Sequence, residues 1–268
     1  MRYLSILILV ALVSCGAARP TLTPAVPTAA PTSTPVPTLR VLFIGNSLTY
    51  VNDLPKMVQS LANANGQHLD YTVIAKPDYA LEDHWSDAKT RDLIKNGDWD
   101  VVVLQQGPSA LPASRVNLRE YAGTFATEIK QANARPALYT VWVDANRLYD
   151  FAETLHSYAL AADDVGGLLL PAGDAWREAW QRDPCLNLYG LDQFHPSALG
   201  SYLAALVIYA QLFNVAVPST VPADLQLEIE PETHAILQAA ATQAITQTKT
   251  LTADERYALP SQIPFCTK

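Results

Sequence analysis

Leu39-Arg40-Val41-Leu42-Phe43-Ile44 runs directly into Gly45-Asn46-Ser47-Leu48. The first six residues are β-rich and almost wholly apolar, the pattern of a strand buried on both faces of a parallel sheet. Gly45 lets the backbone turn sharply. Ser47 therefore stands on a tight turn at the end of a strand, just before a helix, with its hydroxyl exposed. Similar short apolar runs follow at Tyr71–Ala75, Asp100–Leu104, Ala137–Val143 and Gly167–Leu170. Helical patterns lie between them. Asn52 or Asp53 can cap a helix that has Pro55 in its first turn and runs to Gly66. Further helical stretches are Ser86–Asn96, Ser114–Ala134, Phe151–Ala162, Asp174–Gln181, Pro196–Phe213 and Pro231–Gln247, read from three-to-four spacing of apolar residues. Strands interleaved with helices imply an α/β domain with a five-stranded parallel sheet covered on both sides. Ligands of such sheets bind beyond the carboxyl ends of the strands.

Composition sets the outer limits. The chain has 268 residues, 49% hydrophobic and 16% charged, enough apolar material for a packed core. Its formal net charge of −8 argues against nucleic acid as the main partner, which would need a basic footprint. Five His and three Cys are too few and too scattered for a zinc ribbon or finger array.

The N-terminus reads as an address. Leu4 to Val13 is apolar except for Ser5, too short to span a bilayer well and the right size for a signal-peptide core. It ends in Leu12-Val13-Ser14-Cys15, which resembles the bacterial lipobox, in which the Cys is lipidated. Residues 1–15 are thus expected to be a lipoprotein signal peptide. Acyl chains on Cys15 would anchor the protein to the membrane, outside the cytoplasm. Residues 16–38 contain six Pro and six Thr and no acidic residue, the composition of an extended, disordered linker. Residues 39–268 form the folded domain. Cys185 and Cys266 would both face an oxidising compartment. They are either a disulfide that pins the C-terminal tail or two separate buried thiols.

Far from Ser47 lies Asp192-Gln193-Phe194-His195-Pro196-Ser197. An imidazole acts as a base through one nitrogen when a carboxylate orients the other. Asp192 is placed to do this for His195. Together, Gly45-Asn46-Ser47-Leu48 and Asp192-x-x-His195 on an α/β alternation resemble the first and last blocks of the SGNH hydrolases, the GDSL-type esterases and lipases. The resemblance covers Leu39 to about Phe213. It implies a three-layer, flavodoxin-like fold, Ser47 as nucleophile, His195 as general base and then acid, and Asp192 as its orienting group. It also implies an oxyanion hole from the Ser47 backbone N–H, a Gly in a second block and an Asn side chain in a third.

The two middle blocks depart from that pattern. Ala75-Lys76-Pro77-Asp78-Tyr79 has no Gly, and Asp78 is the best positional match, donating through its backbone N–H. In Leu104-Gln105-Gln106-Gly107-Pro108-Ser109, Ser109 stands where Asn is usual. The missing amide would come from Gln106, or else from its neighbour Gln105. Asn46, His84, Trp85, Trp142 and Asp144 are candidate substrate-lining residues, with core packing the competing expectation for the two Trp. His68, His156 and His234 lie away from the carboxyl ends of the strands and are expected to be structural or exposed.

The leading expectation is a surface-tethered serine esterase that removes short acyl groups, such as acetyl, from a carbohydrate or other polar carrier, with no metal or organic cofactor. The departures in the middle blocks motivate an alternative, a non-catalytic surface or carbohydrate binding protein that keeps the SGNH fold.

Overall fold

In the computed structural model the described residues are 36–258 together with Gly16, Pro264 and Cys266. The signal-peptide and lipidation readings, Cys15 included, and all of the linker except Gly16 and residues 36–38 lie outside them. Val36–Lys268 form one compact unit. Its strands are β1 (Thr38–Gly45), β2 (His68–Ala75), β3 (Val101–Leu104), β4 (Arg135–Tyr139) and β5 (Leu168–Leu170). They pair in parallel in the order β2-β1-β3-β4-β5. Every residue of β3 is buried, as are Val41 to Gly45 of β1, which is why these stretches read as unbroken apolar runs.

The helices are α1 (Ser47–Tyr50), α2 (Leu54–Ala64), α3 (Leu81–Ser86), α4 (Ala88–Asn96), α5 (Pro112–Gln131), α6 (Phe151–Val165), α7 (Ala172–Arg182), α8 (Ala198–Phe213), α9 (Pro231–Thr250) and α10 (Ala253–Tyr257). Helices α2 and α8 pack together against one face of the sheet, and α5 and α6 against the other. Helix α8 is buried nearly all round because α2, α7 and α9 also cover it. No helix among the described residues is long and apolar enough to cross a membrane.

Boundaries moved for local reasons. The helix expected over Ser86–Asn96 is α4, which begins at Ala88 because Asp87 caps it, and a separate helix not expected from the sequence, α3, precedes it, with Asp83 accepting the Ala80 N–H. Strand β4 stops at Tyr139 rather than Val143, and Trp142 turns into the core to stack on Trp176 at 3.8 Å. Helix α8 begins at Ala198, since the Ser197 side chain accepts the Gly200 N–H as an N-cap.

The chain leaves β1 in one direction along the sheet and returns past it to β3. That reversal opens a crevice at the carboxyl ends of β1, β2 and β3. Asn46–Ser47, Lys76–Ala80 and Gln105–Ser109 are the segments that follow those strand ends.

Candidate active site

Ser47 opens α1, a single helical turn, with Asn46 as its N-cap. The turn is specified from below by Gln105. Its fully buried side-chain oxygen accepts the Asn46 N–H (2.9 Å) and the Thr49 hydroxyl (2.7 Å). Its amide group donates to Asn46 Oδ1 (3.0 Å) and to the Gln106 carbonyl (2.5 Å). The Asn46 N–H can only donate, so the orientation of the Gln105 amide is fixed. A Cβ at position 45 would collide with the Gln105 oxygen and the Thr49 hydroxyl, which explains Gly45. Buried Tyr139 donates to the Leu48 carbonyl (3.2 Å) from β4, and burial pushes its phenol far above the usual range, so it stays neutral.

Ser47 lies in a cleft of about 330 Å³ that Asp78, Tyr79, Gln106, Ser109, Asn117 and Phe194 also line. The Ser47 hydroxyl and the backbone N–H groups of Ser47 and Asp78 find no partner among the described residues. Asp78 has φ 60, the left-handed conformation that glycine adopts freely. The backbone therefore has a glycine-like shape where the sequence has none. Gln106 accepts the Leu81 N–H (3.1 Å) on its side-chain oxygen, which fixes its amide toward Ser109 Oγ (2.9 Å). One amide hydrogen of Gln106 has no partner among the described residues. Gln105 is corrected as an oxyanion candidate: both its amide hydrogens are engaged below the turn, away from the cleft.

The second half of the site is the loop before α8. The Asp192 carboxylate accepts the His195 ring Nδ1–H (2.5 Å), the His195 backbone N–H (2.9 Å) and the Phe194 N–H (3.1 Å). The His195 ring bond first, then the Phe194 N–H, hold its carboxyl down to about 2. With Nδ1 committed to Asp192, His195 keeps the Nε2 lone pair for a proton. The loop is fastened from outside. Trp142 donates to the Phe194 carbonyl (3.0 Å), the Ala145 N–H to Gln193 O (2.9 Å), and Tyr189 to Val143 O (2.6 Å).

One residue joins the two halves directly. Asn52, just past α1, donates from its side chain to Pro196 O and Ser201 Oγ, each at 2.9 Å. The sequence suggested only a helix cap for it. Its φ of 56 and its amide chemistry are the features that mark it, and neither reveals a partner 144 residues away.

Other candidates resolve into structural roles. His84 is fully buried and donates from Nε2 to the Gly45 carbonyl (2.8 Å), while its Nδ1 is buried without a partner. Burial lowers its pKa, against the opposing pull of the Gly45 bond. It supports the turn from behind and does not line the cleft. Trp85 packs edge-on against Phe125 at 5.1 Å, and Trp142 is wholly buried, so neither presents a face to substrate. Asp144 caps the turn that follows it through the Asn146 N–H (2.8 Å) and is not a cleft residue. Asn46 does border the cleft, but its side chain is committed to Leu48 N–H, Gln105 and Tyr79 O. His68 is exposed at the start of β2, His156 bonds Asp254 (2.9 Å), and buried His234 meets the Tyr202 hydroxyl (3.1 Å). Cys185 and Cys266 are disulfide-bonded, and the Cys266 N–H donates to Pro184 O (3.1 Å). Among the described residues no group of three or more His, Cys, Asp or Glu side chains gathers as a metal set.

No family model matches the chain, and no curated protein matches it by sequence. Solved structures do. A candidate SGNH hydrolase from Slackia heliotrinireducens is 26% identical over 66% of this chain and all of that one, with a TM-score of 0.55. A DUF4886 family protein from Bacteroides uniformis is 18% identical over 81% of this chain and 98% of that one, with a TM-score of 0.66. The acetyl xylan esterase AlAXEase is 16% identical over 64% of this chain and 98% of that one, with a TM-score of 0.53. The five-stranded parallel sheet flanked by helices is the fold these structures share, and the likenesses support a place in the SGNH hydrolase superfamily.

Proposed function

We propose that the protein is a serine esterase, tethered at the cell surface through Cys15, that removes short acyl groups, acetyl in particular, from a carbohydrate or similar polar carrier. The likeness to SGNH hydrolases and esterases supports a carboxylic ester hydrolase. The observation that carries the reading is the Asp192–His195 bond at 2.5 Å, which leaves His195 Nε2 as base, on a loop whose Phe194 borders the cleft of Ser47.

In this reading Ser47 Oγ attacks the acyl carbonyl carbon and its proton passes to His195 Nε2. The carbonyl oxygen takes the charge, facing the N–H groups of Ser47 and Asp78 and the spare amide hydrogen of Gln106. His195 then protonates the leaving alcohol as the C–O bond breaks. Water, deprotonated by His195, releases the acid from Ser47 in the mirror-image step. The likeness to an acetyl xylan esterase supports the acetyl and carbohydrate part of the proposal, and a cleft of about 330 Å³ with Gln106, Ser109 and Asn117 on its wall agrees with it.

A fluorophosphonate probe tests the chemistry: the expected result is one label on Ser47, absent in Ser47→Ala. Folded protein that stays unlabelled would instead favour the non-catalytic binding alternative. Membrane fractionation of Cys15→Ser tests the tether, with release into the soluble fraction expected.

A further inference from the structure

We propose that Asp78 makes this cleft select its esters by charge, admitting neutral and cationic substrates and rejecting anionic ones; the inference rests on the esterase reading. Three observations converge on that side chain. Asp78 lines the cleft that holds Ser47, and among the described residues that line it there is no other Asp or Glu and no Lys or Arg. Its carboxylate is exposed and has no hydrogen bond or ion pair among the described residues. And it occupies a backbone position with φ 60, which glycine would adopt freely and which an L side chain resists, Asp and Asn least of all. Local geometry alone gives no reason for a carboxylate there.

The surroundings do not cancel its charge. Lys76, two residues away, is turned to Asp87 (3.0 Å) and lies over the Tyr79 ring at 4.8 Å from its centre. A second carboxylate, Glu82, holds the side chain of the cleft residue Asn117 at 2.8 Å, so the rim gains another negative group. The chain as a whole carries −8. An approaching anionic ester meets repulsion at long range and again at the cleft, while a cationic carrier meets attraction at both. A carboxylate at the wall of the cleft also opposes an oxyanion formed inside it, so an added cation on the substrate relieves a cost that a neutral ester bears in full.

The test uses the full-length protein and three acetate esters of similar size: choline acetate, 3,3-dimethylbutyl acetate and 2-sulfoethyl acetate. At low salt, kcat/KM should fall in that order by roughly three- to tenfold per step, the size expected for one exposed charge a few ångströms away. High salt should compress the series. In Asp78→Asn, which keeps the size and tolerates φ 60, the steps should shrink to less than about twofold. Each series is a ratio within one enzyme, so a uniform loss of activity in the variant cancels. Turnover of the neutral ester with no charge order in the native protein, or an order that survives in Asp78→Asn, would overturn the role of Asp78 and leave the esterase standing. Failure to turn over any of the three would remove the esterase reading and this inference with it.

Discussion

From Gly45 to Thr49 every residue is buried, whereas Leu191, Asp192 and Gln193 are exposed and His195 is only half-buried. The turn that carries Ser47 is set from within, by the wholly engaged side chain of Gln105 and by Tyr139 and His84 behind it. The loop that carries His195 is itself exposed and is held by single hydrogen bonds to its backbone, from buried Trp142 and from Ala145 and Asn52. On the roles proposed for them, a nucleophile in a fully buried turn and a base on a partly exposed loop should respond differently to damage. Loss of a partner under the turn removes buried hydrogen bonds and threatens the fold. Loss of a strut on the loop misaligns the base and threatens only the rate.

The largest effect expected is that of Ser47→Ala, which should lower turnover of p-nitrophenyl acetate on the order of 10⁴-fold or more. Its melting temperature should stay near normal, because the Ser47 hydroxyl holds nothing together. The adjacent glutamines sharpen the contrast next. Gln106→Ala should cut kcat by roughly 10²–10³-fold with little change in KM, since its spare hydrogen matters only as charge develops. Gln105→Ala should instead lose roughly 3 kcal/mol of stability in urea titration, because it strands buried donors and acceptors at Asn46 and Thr49. A Gln105→Ala protein as stable as the parent would break the claim that the turn is set from below.

Asn52→Gly tests the strut. Glycine accepts the same φ, so the backbone need not shift, but the bond to the loop at Pro196 and the bond to α8 at Ser201 both vanish. We expect about a tenfold loss in kcat at nearly constant KM. Normal kcat in this variant would mean that the other fastenings suffice.

The smallest effect is acid sensitivity. His84 and His234 both have pKa values lowered by burial, so their neutral forms belong to the folded state. The stability they confer is complete above the ordinary histidine value of about 6.5 and is lost as pH falls below it. Asp192, held at about 2, loses its contribution only in strong acid. Thermal melts between pH 7 and pH 5 should therefore show falling stability, with a shallower slope in His234→Phe. An unchanged slope would move the sensitivity to His84.

What the sequence revealed follows the range of each signal. The strands of the sheet are local apolar runs and were legible, with errors only at their ends. Ser47, Asp192 and His195 stood out because each stands in a short motif, and the structure adds the Asp192–His195 hydrogen bond on which their proposed roles rest. Gln105 was visible as chemistry but not as direction. Which of two adjacent amides faces the cleft depends on a turn 59 residues earlier in the chain. Asn52 was invisible as a strut because its partners come from another element altogether. Trp142 was left between sugar stacking and core packing, which a tryptophan at a strand end serves equally well, and only its Trp176 neighbour separates the two.

The Cys185–Cys266 bond gives the molecule a covalent ring whose two ends are 81 positions apart in sequence. The ring encloses the base-bearing loop together with α8, α9 and α10. Its consequence is a tolerance to cutting. A protease that nicks the exposed stretch between α8 and α9 would leave two peptides still joined, with His195 upstream of the cut and the last two helices downstream. Under oxidising conditions such clipped protein would travel as one species and keep its loop in register with α8. Adding a thiol would free the downstream fragment, and whatever activity survived clipping would then decay with the departure of α9.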